Sequence, residues 1–272
     1  MDNAGLDLQR GRPLPAIGTT EAKLQQRKLD ALKRGIHRIP QDSRHAHGVH
    51  LIGVGREGTR VIEAALRSAP ADMLDPDGSR LTVLAVDIGD DALEGVGSQA
   101  DSFPADKAQI ETLALGKPSS DDLRESVSRY QDFLKLEYPL YHPNPDSGEW
   151  LPQDDALERA DVPIARATAK AIYGRAYYDG TRPAFRALKR FAASVESTGA
   201  DSVVCIVFSL SESVGSGIAL DLARHLSSGL FGRRVLVAGI GIAPHPDGDP
   251  QDLGAALSTV FSELDVLCDD TK

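Results

Sequence analysis

Short apolar runs alternate with amphipathic segments along most of the chain after residue 48. Apolar runs with little polar alternation are typical of strands buried on both faces of a parallel sheet, and the segments between them carry apolar residues at helical spacing. The predicted strands are His50–Gly55, Leu81–Val86, Ile110–Leu115, Val203–Phe208, Arg234–Ile240 and Leu264–Cys268. The predicted helices are Thr59–Arg67, Ser120–Leu136, Arg182–Val195, Gly217–Leu226 and Asp252–Leu264. This order predicts an α/β fold with three layers and a mostly parallel, doubly wound sheet.

The same pattern divides the chain into regions. Residues 1–48 are predicted to be an arm with a basic amphipathic helix at Glu21–Arg38, which either docks on the main domain or binds a partner. Residues 49–268 carry the α/β pattern and form the main domain. Residues 117–163 interrupt its rhythm with Pro, Asp and aromatic residues, which predicts an ordered surface insertion. Residues 269–272 are a tail.

Composition narrows the class of protein. The formal net charge of −10 argues against a general nucleic-acid binder, whose surface would be basic. Cys205 and Cys268 stand far apart without metal-ligand spacing, so we expect neither a disulfide nor a zinc framework, and a reducing cytoplasm fits best. The N-terminus lacks the apolar core of a signal peptide, and no apolar run approaches the ~18 residues that span a membrane. We therefore expect a cytoplasmic protein without a membrane span.

Candidate catalytic and metal-binding groups are sparse. His45, His47 and His50 are spaced like metal ligands on an extended segment, but no carboxylate is evident as their partner, so a solvated segment before the first strand is favoured. No serine falls in a nucleophile motif, and no residue is assigned as a general base. The sequence therefore assigns no metal site and no catalytic residue.

A first glycine loop follows the first predicted strand. Residues Gly53–Gly58, GVGREG, match the G-x-G-x-x-G pattern, in which the glycines allow a tight turn, a close phosphate and close packing of helix on strand. This context predicts nucleotide or phosphate binding. One alternative is a Rossmann-type NAD-dependent oxidoreductase with Asp87 on the ribose, although Asp87 lies farther from Gly53 than the usual ~20 residues.

A second loop has the same context. The segment Phe208–Gly217, FSLSESVGSG, follows an apolar strand and precedes a predicted helix. Backbone N–H groups at such a turn and the positive end of the helix attract anions. Glu212, however, places a carboxylate in the middle of this loop.

Together the two loops resemble the nucleotide-binding domain of the tubulin/FtsZ superfamily. GREGTRV stands where the family has GQxGN or a glycine run, and SESVGSG stands where it has its signature GGGTGSG. The segment Ala169–Gly180, AKAIYGRAYYDG, resembles the approach to that signature. The resemblance implies GTP or GDP as the ligand. It also implies a site built from two loops: Gly53, Gly55, Arg56, Glu57 and Gly58 from the first, and Ser213, Val214, Gly215, Ser216 and Gly217 from the second.

Departures from the family motif lower the nucleotide binding and the GTPase activity that we expect. Ser211, Glu212 and Ser213 replace glycines, and Val214 replaces the threonine. A carboxylate ~4 Å from a phosphate charge costs about 4 kcal/mol near a protein surface, which a Mg²⁺ ion would offset. The chain also stops before the acidic loop with which the family hydrolyses GTP across a subunit contact.

The expected function is therefore a divergent GTP-type assembly or regulatory subunit with weak or absent GTPase activity, bound to a protein partner or to copies of itself. The second alternative, beside the oxidoreductase, is a nucleotide-free interaction module of a hetero-complex.

Overall fold

A computed structural model describes residues 48–137, 151, 164–198, 202–232, 234–244 and 257–265. In the first of these ranges the side chains are described as far as residue 130, and residues 131–137 by their backbone alone. These residues belong to the compact unit Arg44–Lys272. The predicted arm helix, His45, His47, Cys268 and the tail lie outside the described residues.

The centre of the fold is a five-stranded sheet in the order β3-β2-β1-β4-β5, in which every neighbouring pair is parallel. The strands are β1 (Gly48–Val54), β2 (Arg80–Ile88), β3 (Ala108–Leu115), β4 (Ser202–Ser209) and β5 (Leu236–Ile242). Val54 at the end of β1 is in register with Val86 and Phe208. The loops after β1, β2 and β4 consequently open at the same edge of the sheet.

Helices cover both faces of this sheet. They are α1 (Gly55–Arg67), the short α2 (Glu94–Gly97), α3 (Ser120–Glu137), α4 (Arg166–Tyr178), α5 (Pro183–Glu196), α6 (Ser213–Arg224), which continues as a π-helical turn at His225–Leu230, and α7, residues 257–265. One face packs on α1 and α2, and the other on α3, α4, α5 and α6. The three-layer, parallel α/β fold predicted from the sequence is confirmed.

Alternate residues of the central strands pack into two hydrophobic cores, one on each face of the sheet. Ile52, Val54 and Val86 point to the larger core on the α4 side, whereas Val83 and Ala85 point to the smaller core under α1. All five are at most 1% exposed. Burial on both faces explains why these strands appear in the sequence as continuous apolar runs.

Helix α3 lies within residues 117–163, the predicted surface insertion. Its Leu123, Val127 and Tyr130 are buried in the larger core, so this part of the region contributes to the domain interior. Residues 138–150 and 152–163 lie outside the described residues.

Several predicted boundaries were wrong. Helix α6 begins at Ser213, four residues before the predicted start at Gly217, and β5 lies two residues beyond the predicted Arg234–Ile240. Leu264 is in helix α7, not in a strand.

His50 is also placed differently from its prediction. It is buried at the start of β1 and its Nε2 lies 3.1 Å from Ser202 Oγ, so it is not solvated. Among the described helices, none is both long and apolar enough to cross a membrane.

Candidate functional site

The two predicted loops meet where the strand order reverses. Strands β1 and β4 are neighbours, but α1 follows β1 onto one face of the sheet and α6 follows β4 onto the other. Such a switch point leaves a crevice at the carboxyl edge, into which the N-termini of both helices open. The sequence prediction that the two glycine segments lie together is therefore consistent with this topology.

The first turn of α1 has donors that its own sequence does not satisfy. Gly55 opens the helix with a φ of +72°, a left-handed conformation that favours glycine. The preceding Val54 has no side-chain acceptor to cap the helix. The first N–H groups of any α-helix lack partners inside the helix, and here they need an acceptor from elsewhere.

Glu212 supplies that acceptor. The Arg56 N–H donates to Glu212 Oε1 at 2.9 Å, and the Glu57 N–H donates to Oε2 at 3.3 Å. Each carboxylate oxygen thus takes one amide at the positive end of α1. The α1 terminus is an anion position, and an anion from the same chain occupies it.

The backbone N–H and carbonyl of Glu212 are also hydrogen-bonded. Its N–H donates to Ser209 Oγ at 3.2 Å, and its carbonyl accepts the Ser216 N–H at 2.9 Å and the Ser216 hydroxyl at 2.7 Å. Glu212 is therefore the N-cap residue of α6, although its side chain reaches across to α1.

Gly55 and Gly58 allow this close approach. A Cβ on Gly55 would lie 2.6 Å from Glu212 Oε2, so a side chain there would compete with the carboxylate. A Cβ on Gly58 would lie 2.2 Å from the Val207 carbonyl oxygen, which only glycine avoids. The third glycine of the motif packs helix on strand, as its position in the sequence predicts.

The charged groups around Glu212 make the crevice acidic. Burial raises the pKa of Glu212, and the nearby charge of Glu57 raises it further, while the two amide hydrogen bonds lower it. Burial and the charge of Glu212 raise the pKa of Asp87 to about 6, against a hydrogen bond from the Ile88 N–H. Asp87 is 8% exposed. An incoming anion would meet these carboxylates.

Two basic side chains, Arg56 and Arg60, stand at the rim. Arg56 is exposed, and with Arg60 it lines a cleft of about 540 Å³ between α1 and α2. Asp91 and Glu94 line the same cleft. Arg60 is paired with Glu57 at 3.0 Å, whereas Arg56 forms no ion pair with any residue that the structure describes.

The remaining predicted site residues have mainly structural contacts. Gly53, Gly215 and Gly217 are buried, and the side chain of Val214 packs against the larger core. Ser213 to Gly217 form the first turns of α6, whereas the sequence placed the first four of them in a loop. The predicted phosphate-binding residues of the second loop thus lie in a helix, and only Leu210 to Glu212 remain as a loop between β4 and α6.

Three residues of the approach to the second loop are also engaged in packing. The Tyr173 hydroxyl lies 2.9 Å from His225 Nδ1, Asp179 accepts hydrogen bonds from Ser126 and Arg129, and Gly174 lies against the Tyr130 ring. No pattern in the sequence points to Arg166, which donates to the Ser216 carbonyl of α6.

No cluster of three or more His, Cys, Asp or Glu side chains is arranged to hold a metal ion within the described ranges.

Comparisons with known proteins give little further guidance. No protein-family model matches the chain, and no curated protein sequence matches it. Among solved structures, it is distantly similar to CetZ from Methanosaeta thermophila strain DSM 6194, a protein of the tubulin/FtsZ family, with 12% identity and a TM-score of 0.43. The match covers 81% of this chain and 42% of that chain. An identity and TM-score this low carry no argument about family or function.

Proposed function

We propose that this domain is an assembly or regulatory subunit that works without a bound triphosphate. The observation that carries the proposal is the Glu212 carboxylate on the Arg56 and Glu57 amides, at 2.9 and 3.3 Å. A helix N-terminus at the switch point of a parallel sheet is where such folds hold a phosphate. Here the chain supplies its own anion to that position.

Electrostatics oppose an external phosphate. A phosphate at the α1 terminus would first displace Glu212 and would then lie near Asp87 and Glu57. Each like-charge pair at ~4 Å costs about 4 kcal/mol near a protein surface, and the exposed guanidinium of Arg56 offsets only one such pair, while Arg60 is paired with Glu57. Binding of a triphosphate to the native crevice is therefore expected to be weak or absent.

Strand β5 is the outermost strand of the sheet that the described residues form, and its uncharged sequence supports a role in protein contacts. Leu236 and Ile240 on β5 are 53% and 50% exposed, and the segment Leu236–Ile242 contains no charged residue or proline. Exposed edge strands of this kind are ready to pair with another chain unless they are covered. This favours a protein partner or a second copy of the chain.

Guanine-nucleotide binding is the second candidate function, and one observation favours it. The α1 terminus already binds a carboxylate through two amides, and the exposed guanidinium of Arg56 stands beside it. An arginine fork and helix amides are common phosphate ligands. Under this alternative GTP or GDP displaces Glu212, and Mg²⁺ offsets part of the repulsion.

Calorimetry separates the two candidates. Wild-type protein is titrated with GTP, GDP, ATP and NAD, each with and without Mg²⁺. We expect no saturable heat for any ligand up to about 1 mM, the limit of weak specific binding. Saturable binding of GTP or GDP alone would replace the proposal with the second candidate, and binding of NAD alone would support the oxidoreductase alternative.

Two variants test whether Glu212 closes the site. Glu212→Gly removes the carboxylate and frees both amides, so we expect any triphosphate binding to be stronger than in the wild type. Glu94→Gln is the matched control, because it neutralises an acid of the adjoining cleft without touching the amides. An equal gain in both variants would show that net charge, not occupancy of the amides, governs binding.

A further inference from the structure

A continuous set of hydrogen bonds connects α7 to the N-terminus of α1. Arg166, the first residue of α4, pairs with Glu263 of α7, and its Nη2 donates to the Ser216 carbonyl at 3.1 Å. Ser216 in turn donates twice to the carbonyl of Glu212. The Glu212 carboxylate then accepts the α1 amides. Four helices are joined through these groups.

The middle of this set is buried and tightly packed. Ser216 is 1% exposed, and Gly217 lies directly against the backbone of Arg166. The side chains of Arg166 and Glu263 are 17% and 11% exposed. Hydrogen bonds in such an environment are stronger than at the surface, and their loss leaves buried polar groups unpaired.

Lys170 lies one turn further along α4 and provides a comparison. Its Nζ is 2.8 Å from Asp221 and 3.8 Å from the same Glu263. Lys170 therefore shares the ion-pair cluster that docks α7, but no hydrogen bond connects it to Ser216 among the described contacts. Arg166 contacts the first turn of α6 at the Ser216 carbonyl, whereas Lys170 contacts Asp221 further along the same helix.

We propose that Arg166 is a positioning residue for Glu212. Docked α7 orients Arg166 through Glu263, Arg166 fixes the first turn of α6 through the Ser216 carbonyl, and this turn holds the Glu212 carboxylate on the α1 amides. Occupancy of the anion position then depends on the docking of α7, a helix at the far end of the chain. The inference goes beyond the proposed function, since it depends on the observed contact of Glu212 and not on whether a nucleotide binds.

Amide hydrogen exchange measured by NMR tests this coupling. The Arg56 and Glu57 amides report the Glu212 contact, and amides of β1 and β4 report global unfolding in the same sample. We expect Glu212→Gln and Arg166→Met each to speed exchange at the two α1 amides by about five- to tenfold relative to the strand amides, the effect of one lost hydrogen bond. Lys170→Met should change that ratio by less than about twofold, because no described hydrogen bond joins Lys170 to Ser216 and its loss should affect the α1 amides and the strand amides alike.

The control and the double variant decide the outcome. An unchanged ratio in Arg166→Met would overturn the proposal, and so would an equal rise in Lys170→Met, because general loosening of α7 would then be the cause. The double variant Arg166→Met, Glu212→Gln should show no further rise over Glu212→Gln, since both act on one contact; additive effects would contradict the coupling. If Arg166→Met does not fold, Arg166→Lys decides alone, because lysine keeps a positive charge opposite Glu263 but lacks the guanidinium fork that also reaches the Ser216 carbonyl: a selective rise at the α1 amides supports the proposal, and no rise refutes it.

Discussion

Replacing Glu212 with alanine should destabilise the domain through α1, a helix more than a hundred residues away in sequence. The substitution removes the acceptor for the Arg56 and Glu57 amides, which are 2.9 and 3.3 Å from the carboxylate. The side chain of Glu212 makes no capping bond to α6 itself, so α6 loses nothing directly. The effect therefore isolates the contribution of the contact between the two helices.

The magnitude follows from opposing effects. Loss of a side-chain cap costs about 1 kcal/mol, and loss of a negative charge at a helix N-terminus costs about 0.3–1 kcal/mol more. Burial and the charge of Glu57 act in the other direction, since both raise the pKa of Glu212 and so disfavour its ionised form. We expect a net loss of about 1 kcal/mol at pH 7 in the free energy of unfolding.

Urea denaturation followed by circular dichroism measures this change, with an unchanged denaturant slope as the sign that compactness is the same. Glu57→Ala is the matched control, because it removes a negative charge from the same helix turn without removing an acceptor of its amides; the Glu57 side chain is 47% exposed and paired with Arg60. The control should change stability by less than about 0.5 kcal/mol. A Glu212→Ala variant as stable as the wild type would refute the capping role.

Further predictions concern titration and turnover. Asp87 has a pKa raised to about 6 from 3.8, so its contribution to stability is fully present below pH 4 and is lost as the pH rises through 6. Denaturation curves at several pH values should show this loss, about 2 kcal/mol after allowance for solvent access, in the wild type and not in Asp87→Asn. His50 has a pKa lowered to about 4 from 6.5 by burial, so stability present above pH 6.5 is lost as the pH falls through 4. His50→Gln should abolish this loss of about 2–3 kcal/mol in the free energy of unfolding. An unchanged loss at acid pH in the variant would show that His50 does not titrate in this way. Glu212→Gln should lower the pKa of Asp87, read from its carboxyl ¹³C shift, but leave it above the ordinary value because burial is the larger cause. Wild-type protein with GTP and Mg²⁺ should release phosphate at the background rate, and steady turnover would contradict the expectation of weak or absent GTPase activity.

The sheet could be predicted from the sequence because its strands are buried on both faces. The apolar runs around Ile52, Leu84 and Ile206 have little polar alternation, and such runs separated by amphipathic segments are typical of a parallel sheet between helices. The boundary of β5 was less predictable. Arg234 is apart from the strand, because its backbone N–H and its side chain both bond to the Phe231 carbonyl and hold it in a turn.

The start of α6 could not be predicted from local preferences. The segment Ser213–Gly217 contains serine and glycine, which favour turns over helix interiors. Tertiary contacts override this preference, since Ser216 donates to the Glu212 carbonyl and Gly217 packs against α4. Helix therefore begins where the residue types alone indicate a loop.

The contact between the Glu212 carboxylate and the α1 amides could not be predicted from the sequence pattern either. Glu212 and Arg56 are 156 residues apart, and no local motif links a carboxylate in one loop to the amides of another. The sequence shows that Glu212 stands in an unfavourable place for a phosphate-binding loop. Only the fold shows that its carboxylate accepts the amides at the N-terminus of the neighbouring helix.

The contact of Glu212 with α1 can be measured directly by an NMR pH titration. Amide protons hydrogen-bonded to a carboxylate follow its protonation, so the Arg56 and Glu57 amide shifts should titrate together with the Glu212 carboxyl ¹³C shift, at a pKa above the ordinary glutamate value. In Glu212→Gln this shared transition should disappear from both amides. Two amides that do not move with the Glu212 titration, or that titrate equally in Glu212→Gln, would contradict the claim that the chain fills its own anion position.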